Sequence, residues 1–239
     1  MINAAGFRYD YDKGGREILS TILDMNSNRL SRTRKGISNI GSSVSKRPLL
    51  LSGHDLRQRC RANELEVHKF LWQSRHDEPP DTGEGFRALL YKIADMVNDG
   101  LLPAGRLRTW DFPSKDQTTV RARALPPRVQ ASDIEPQIDK LCDQINSRRE
   151  ELTRNPIPVA ALIEWEINAG SLHPFYDACG RISRLFSACM LIQHSCLLPL
   201  YDDAETYYEN ANLGLHGFSE YVVSRIAACH HWVSEIYGD

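Results

Sequence analysis

Apolar side chains recur three and four positions apart in stretch after stretch of this chain of 239 residues. That spacing restricts it to a fold built mainly from helices. Leu56, Leu65, Val67, Phe70 and Leu71 form one stretch, closed by the breaker Pro79–Pro80–Asp81–Thr82–Gly83. Phe86, Leu89, Leu90, Ile93, Met96 and Val97 form the next, which stops near Gly100. Ile134, Ile138, Leu141 and Ile145 mark another. Asn155–Pro156–Ile157–Pro158 opens a helix through Ala161, Ile163 and Ile167, and a further one runs from Ile182 through Leu185, Phe186, Cys189, Met190 and Ile192. Residues before about 50 are polar, although Ile18, Ile22, Leu23 and Leu30 are spaced for a short helix. The predicted organisation is an N-terminal segment over 1–50 and one domain over 51–239.

Chemistry is concentrated between Leu172 and Arg184, where the chain reads Leu-His-Pro-Phe-Tyr-Asp-Ala-Cys-Gly-Arg-Ile-Ser-Arg. Ala178 and Gly180 are small, so the backbone can turn tightly and approach a ligand. Gly180 and Arg181 then fall in the first turn of the helix that continues from Ile182. Its orphan N–H groups and positive dipole end favour an anion. Arg181 and Arg184 lie three apart and reach the same side, with the forked geometry that suits phosphate oxygens. Asp177 offers a hard carboxylate to a Mg²⁺ held otherwise by phosphates and water. His173 stands one short loop upstream, where a neutral imidazole can take a proton from an attacking hydroxyl.

Each residue also has a plain structural reading. His-Pro begins many loops, an Asp before small residues caps many helices, and two arginines on a helix usually lie on a solvated face. The order is what separates them from that background. It resembles the signature of the Fic family, His-Pro-Phe-x-(Asp/Glu)-Gly-Asn-Gly-Arg-x-x-Arg. His173, Pro174, Phe175, Asp177, Gly180, Arg181 and Arg184 match it, Ala178 replaces the usual Gly, and Cys179 replaces the Asn. The likeness extends upstream, where Gly105–Arg106–Leu107–Arg108 resembles the segment that leads into the family's flap. Trp110 to Arg123, followed by Pro126–Pro127, resembles the flap itself. Downstream, Asp203 through Asn210 resembles the helix that lines the nucleotide base.

The resemblance implies a mainly α Fic-type helical bundle with a short β-hairpin flap. The reaction it implies moves AMP, or a related phosphate-linked group, from ATP or another nucleotide donor to a Ser, Thr or Tyr hydroxyl of a target protein. Carried over, His173 is the general base and Asp177 the Mg²⁺ ligand. Ala178, Gly180, Arg181 and Arg184 bind phosphates, and Tyr207 and Tyr208 line the base. Trp110 and Arg123 sit on the flap that docks the target by β-augmentation. Some relatives carry Lys in the position of Gly180 and transfer phosphate instead, so the glycine favours nucleotidyl transfer.

Cys179 leaves three readings open. A thiol donates to phosphate more weakly than an amide, which implies a slowed or altered transferase, since losing one preorganised donor costs about 10²–10³ in rate. A second is an inactive binding module that keeps the pocket. A third is a thiol-dependent enzyme with Cys179 as nucleophile, because a helix N-terminus and a nearby His favour thiolate. Many members of the family also carry an inhibitory helix, Ser/Thr-x-x-x-Glu-Gly/Asn. Ser31–Arg32–Thr33–Arg34–Lys35–Gly36 has its spacing, with Lys35 where the Glu belongs. A cation there repels Arg184 rather than engaging it, and a solvated basic stretch is the alternative.

Composition excludes other classes. The 29 Lys and Arg nearly cancel the 31 Asp and Glu, so no broad nucleic-acid surface is implied. No apolar run is long enough to span a bilayer, and the N-terminus does not read as a signal peptide. The six cysteines show no Cys-x-x-Cys pair and no zinc spacing, which fits reduced thiols in a cytoplasm. Delivery into another cell would leave no mark in these residues. Cys189 and Cys196, seven apart, are expected to share a helix face by packing, and His230–His231 to be ordinary helix residues.

Overall fold

In a computed structural model, residues 4–12, 15–30, 53–102, 107–109, 111 and 128–237 are described. They form a helical bundle whose order follows the apolar stretches. α1 is Gly15–Leu30, α2 Gly53–Gln73, α3 Gly83–Asn98 and α4 Ile134–Ser147. α5 is Arg149–Arg154, α6 Ile157–Glu164, α7 Cys179–Gln193, α8 Ala204–Ala211 and α9 Gly214–Tyr237. A π-helical turn, Trp165–Ala169, extends α6. Among the described residues the only β pairing is two isolated antiparallel bridges, Arg8 with Cys196 and Leu107 with Phe175. The flap residues Trp110 and Arg123 lie outside the described residues, as do Ser31 and Lys35.

α6 and α7 form the centre. Val159 through Ile163 are all buried, and α7 buries residues on every face, including Ile182, Phe186, Met190 and Leu191. A helix apolar all round belongs inside a bundle. α3 and α4 close one side, packing Phe86, Leu90, Ile93 and Val97 toward Ile138, Leu141 and Ile145. Each such side chain contributes about 1.5–3 kcal/mol by leaving water. Thr82 caps α3 by accepting from Gly85 N–H at 3.0 Å. Past the end of α3 the chain turns at Gly100, whose φ of 65° suits glycine.

Two expectations need correction. The boundary at residue 50 is not a division of the core. α1 buries Ile18, Leu19, Ile22, Leu23 and Leu30 in the common core, and Asn26 binds Pro199 C=O at 2.7 Å and Tyr201 N–H at 2.9 Å. Cys196 does not share a helix face with Cys189, because α7 ends at Gln193 and the chain then turns at Ser195, φ 53°. Both thiols are nevertheless buried, so the packing reading stands.

Candidate active site

The loop between the π turn and α7 is held by its own carbonyl groups. Arg108, 1% exposed, donates from Nε to His173 C=O at 3.0 Å and from its Nη2 to the carbonyls of Leu172 and Val129. Its backbone N–H donates to Pro174 C=O at 2.8 Å, beside the Leu107–Phe175 bridge. Arg128 covers the preceding carbonyls, reaching Asn168 at 3.3 Å, Ala169 at 3.2 Å and Gly170. Two guanidiniums thus tie down the turn that presents His173. Burial lowers the basicity of Arg108, so its charge is costly there and the carbonyl contacts offset that cost.

His173 is half-buried, with φ of 37°, a conformation that few L residues adopt outside special sites. Its Nδ1 lies 3.1 Å from Asn168 C=O. A carbonyl can only accept, so Nδ1 carries the proton and Nε2 is the accepting nitrogen of the neutral ring. That tautomer is the one a base at Nε2 requires.

The start of α7 comes next. Ala178 is its N-cap, at φ 64° and ψ 15°, and supplies no side-chain cap. Thr82 caps α3, and Asp203 caps α8 by accepting from Thr206 N–H at 2.9 Å. The first helical bond of α7 runs from Ile182 N–H to Ala178 C=O at 2.8 Å, which leaves the N–H groups of Cys179, Gly180 and Arg181 at the anion-favouring end. A left-handed conformation costs an alanine about 1–2 kcal/mol. Ala178→Gly is therefore expected to raise stability by about 1 kcal/mol in urea unfolding, and an unchanged or lower midpoint would contradict the geometry.

Gly180 is fixed by close approach. A Cβ there would stand 3.1 Å from Asn168 Oδ1 and 3.2 Å from an Arg184 guanidinium nitrogen. Arg181 and Arg184 both line a small cavity of about 40 Å³ with Ser27 of α1 and with Glu64 and His68 of α2. Arg181 is 3.8 Å from Glu64, which also accepts from Ser27 Oγ at 2.8 Å. Arg184 lies over the Tyr207 ring, 5.9 Å from its centroid. Asp177 is half-buried immediately before the helix start. Among the described residues no three His, Cys, Asp or Glu side chains cluster as a metal cage. Asp177 interacts electrostatically with Arg181, and one carboxylate there would suit a Mg²⁺ that comes with phosphates and keeps its waters.

Cys179 departs from the sequence expectation. It is 3% exposed, and its Sγ accepts from Phe175 N–H at 3.3 Å and faces Phe175 C=O at 3.5 Å. Burial pushes the thiol up to about 12, against the lowering expected from the helix start. The side chain staples the loop, and its burial among these contacts argues against the nucleophile reading. An asparagine would meet the same N–H and C=O, which a carboxamide satisfies. Cys60 is the one cysteine that is not buried. Native labelling with iodoacetamide at neutral pH is expected to modify Cys60 and spare Cys179 until the protein is unfolded; rapid native labelling of Cys179 would reverse this assignment.

Tyr207 faces the interior. It is 1% exposed and belongs to a buried network rather than to an open base pocket. Its hydroxyl donates to Glu164 Oε1 at 2.7 Å and accepts from Asn168 Nδ2 at 3.1 Å, while Tyr201 donates to Glu164 Oε2 at 2.8 Å. Burial raises the Glu164 carboxyl, opposed by Arg184 and by hydrogen bonds from Tyr207, Tyr201 and Ser187. Tyr208 is half-buried, its ring edge-on to Tyr207 at 5.1 Å. Sequence reasoning missed Glu64, Arg128, Glu164 and Asn168. Glu164 carried a readable signal, a lone acid closing the apolar run Val159–Ile163, because buried carboxylates are rare unless paired.

The helical arrangement is that of Fic-domain proteins. A Fic-domain signalling protein from Bacteroides thetaiotaomicron superposes with a TM-score of 0.56 at 18% identity, over 95% of this chain and 88% of that one. Fic-1 from C. elegans gives 0.53 at 18% identity, over 94% and 73%. A Fic family protein from Desulfovibrio desulfuricans gives 0.50 at 16% identity, over 92% of this chain and 64% of that one. No protein-family model and no curated protein matches the sequence. The chain therefore has the Fic fold.

Proposed function

We propose that this chain is a Fic-type transferase that moves AMP, or a related phosphate-linked group, from a nucleotide to a hydroxyl side chain of a target protein. One observation carries the reading: the loop that fixes His173 in the Nδ1–H form runs directly into the uncapped start of α7, with Arg181 and Arg184 on its first turns. The N–H groups of that turn and the two guanidiniums bind the polyphosphate. His173 Nε2 takes the proton of the attacking hydroxyl as its oxygen bonds to the α-phosphorus and the bond to the departing pyrophosphate breaks. Asp177 would hold Mg²⁺, which supplies neutralisation of phosphate charge when bound. Glycine rather than lysine at position 180 supports nucleotidyl over phosphoryl transfer by the family resemblance, and any side chain there would press on Asn168 and Arg184. Cys179 serves the loop, so the transfer does not depend on its thiol.

The test is incubation of the protein with ATP, Mg²⁺ and a lysate, followed by intact-mass analysis of this chain and its targets. Addition of one AMP moiety, lost in the His173→Ala variant, is the expected result. Modification that survives His173→Ala, or none with any nucleotide, would overturn the reading. Among the described residues no helix is long and apolar enough to cross a membrane.

A further inference from the structure

Three buried groups form a chain that ends at the catalytic loop. Glu164, the last residue of α6, accepts from Tyr207 at 2.7 Å. Tyr207, on α8, accepts in turn from the Asn168 side chain at 3.1 Å. Asn168 lies within the π turn, and its main-chain carbonyl is the partner of His173 Nδ1 at 3.1 Å. An asparagine inside a helical turn competes with the backbone for hydrogen bonds and needs a partner that fixes its orientation. Here the partner is the Tyr207 hydroxyl on one side, while Gly180 leaves room for the amide oxygen on the other. π turns distort the carbonyl ladder and recur at functional sites. Arg128 reaches the same carbonyl at 3.3 Å, so the oxygen is shared between a charged donor and the imidazole. Its direction then decides which donor it serves.

We propose that Tyr207 is a positioning residue for His173: its hydroxyl, braced by Glu164, locks the Asn168 amide and so aims the Asn168 carbonyl at Nδ1, holding the imidazole in the tautomer that leaves Nε2 as the base. The role of the base rests on the transferase reading; the link from Tyr207 to the tautomer does not. Tyr201 provides an internal comparison. It donates to the other oxygen of Glu164 at 2.8 Å but makes no contact with Asn168 through its hydroxyl among the bonds described. A role limited to bracing Glu164 would make the two tyrosines equivalent.

The experiment is ¹⁵N NMR of histidine-labelled protein without nucleotide, with the His173 signal assigned by its loss in His173→Ala. Wild type is expected to show the Nδ1–H form. Tyr207→Phe is expected to give a mixed or exchange-averaged tautomer signal, whereas Tyr201→Phe keeps the wild-type signal. Should Tyr207→Phe fail to fold, Asn168→Ala cuts the same link from its other end and is expected to give the same mixed signal. A wild-type His173 protonated at Nε2 overturns the proposal. So does an unchanged tautomer in Tyr207→Phe or, where that variant does not fold, in Asn168→Ala. In transfer assays Tyr207→Phe is expected to lower kcat about tenfold with nucleotide KM unchanged, a fraction of the about 10²–10⁴-fold that a positioned general base contributes. Absence of any transfer by wild type would remove the proposed function and leave the tautomer measurement to decide the link by itself.

Discussion

His173→Ala is expected to lower transfer by about 10²–10⁴-fold, the usual contribution of a positioned general base, while nucleotide affinity stays within about a few-fold of wild type. The asymmetry follows from where the residue sits. His173 belongs to the loop, and the phosphate groups are assigned to the N–H groups and arginines of α7, which the truncation does not touch. Its ring is tied to Asn168 C=O by one hydrogen bond, so removing it leaves Arg108 and Arg128 still holding the loop. Single-turnover rates with saturating nucleotide, read beside binding of the same nucleotide, separate the two quantities. Loss of both together would mean that His173 shapes the pocket rather than takes a proton.

Arg108→Met is expected to cost about 3 kcal/mol or more of stability and to abolish transfer with it. Methionine keeps much of the stem but no donor. The carbonyls of Leu172, His173 and Val129 would then be left without the guanidinium that binds them. An unpaired buried carbonyl costs about 1–3 kcal/mol, and relief from burying the charge returns part of it. Arg108→Lys is expected to rescue little, because one ammonium on a flexible stem cannot reproduce the fork. Urea unfolding of both variants checks this. A methionine variant as stable as wild type, with an intact loop, would show that the carbonyls find other partners.

The helices were legible because their apolar positions repeat with the helical period. Even α1 could be read from Ile18, Ile22, Leu23 and Leu30, although its membership of the core could not, since that depends on Asn26 meeting Pro199 and Tyr201 far along the chain. The candidate site was legible as a proposal through the order of His173, Asp177, Gly180, Arg181 and Arg184, and through the resemblance that order carries. What escaped was direction. A thiol at a helix start reads as activated, yet Cys179 turns inward to Phe175, and burial raises its thiol. The resemblance sets Tyr207 against a nucleotide base, yet Glu164 draws its hydroxyl inward. The π turn has no sequence mark apart from a helix interrupted by Asn168 and Gly170, and the two arginines that clamp it lie about 40 to 65 residues upstream.

The proposed function requires a polyphosphate against the start of α7. Calorimetric titration with ATP and Mg²⁺ tests it most directly, run on wild type and on a variant carrying Arg181→Ala and Arg184→Ala. Saturable binding of one nucleotide per chain is expected for wild type, with a loss of at least about tenfold in affinity for the variant. No binding by wild type, or equal binding by both, would contradict it.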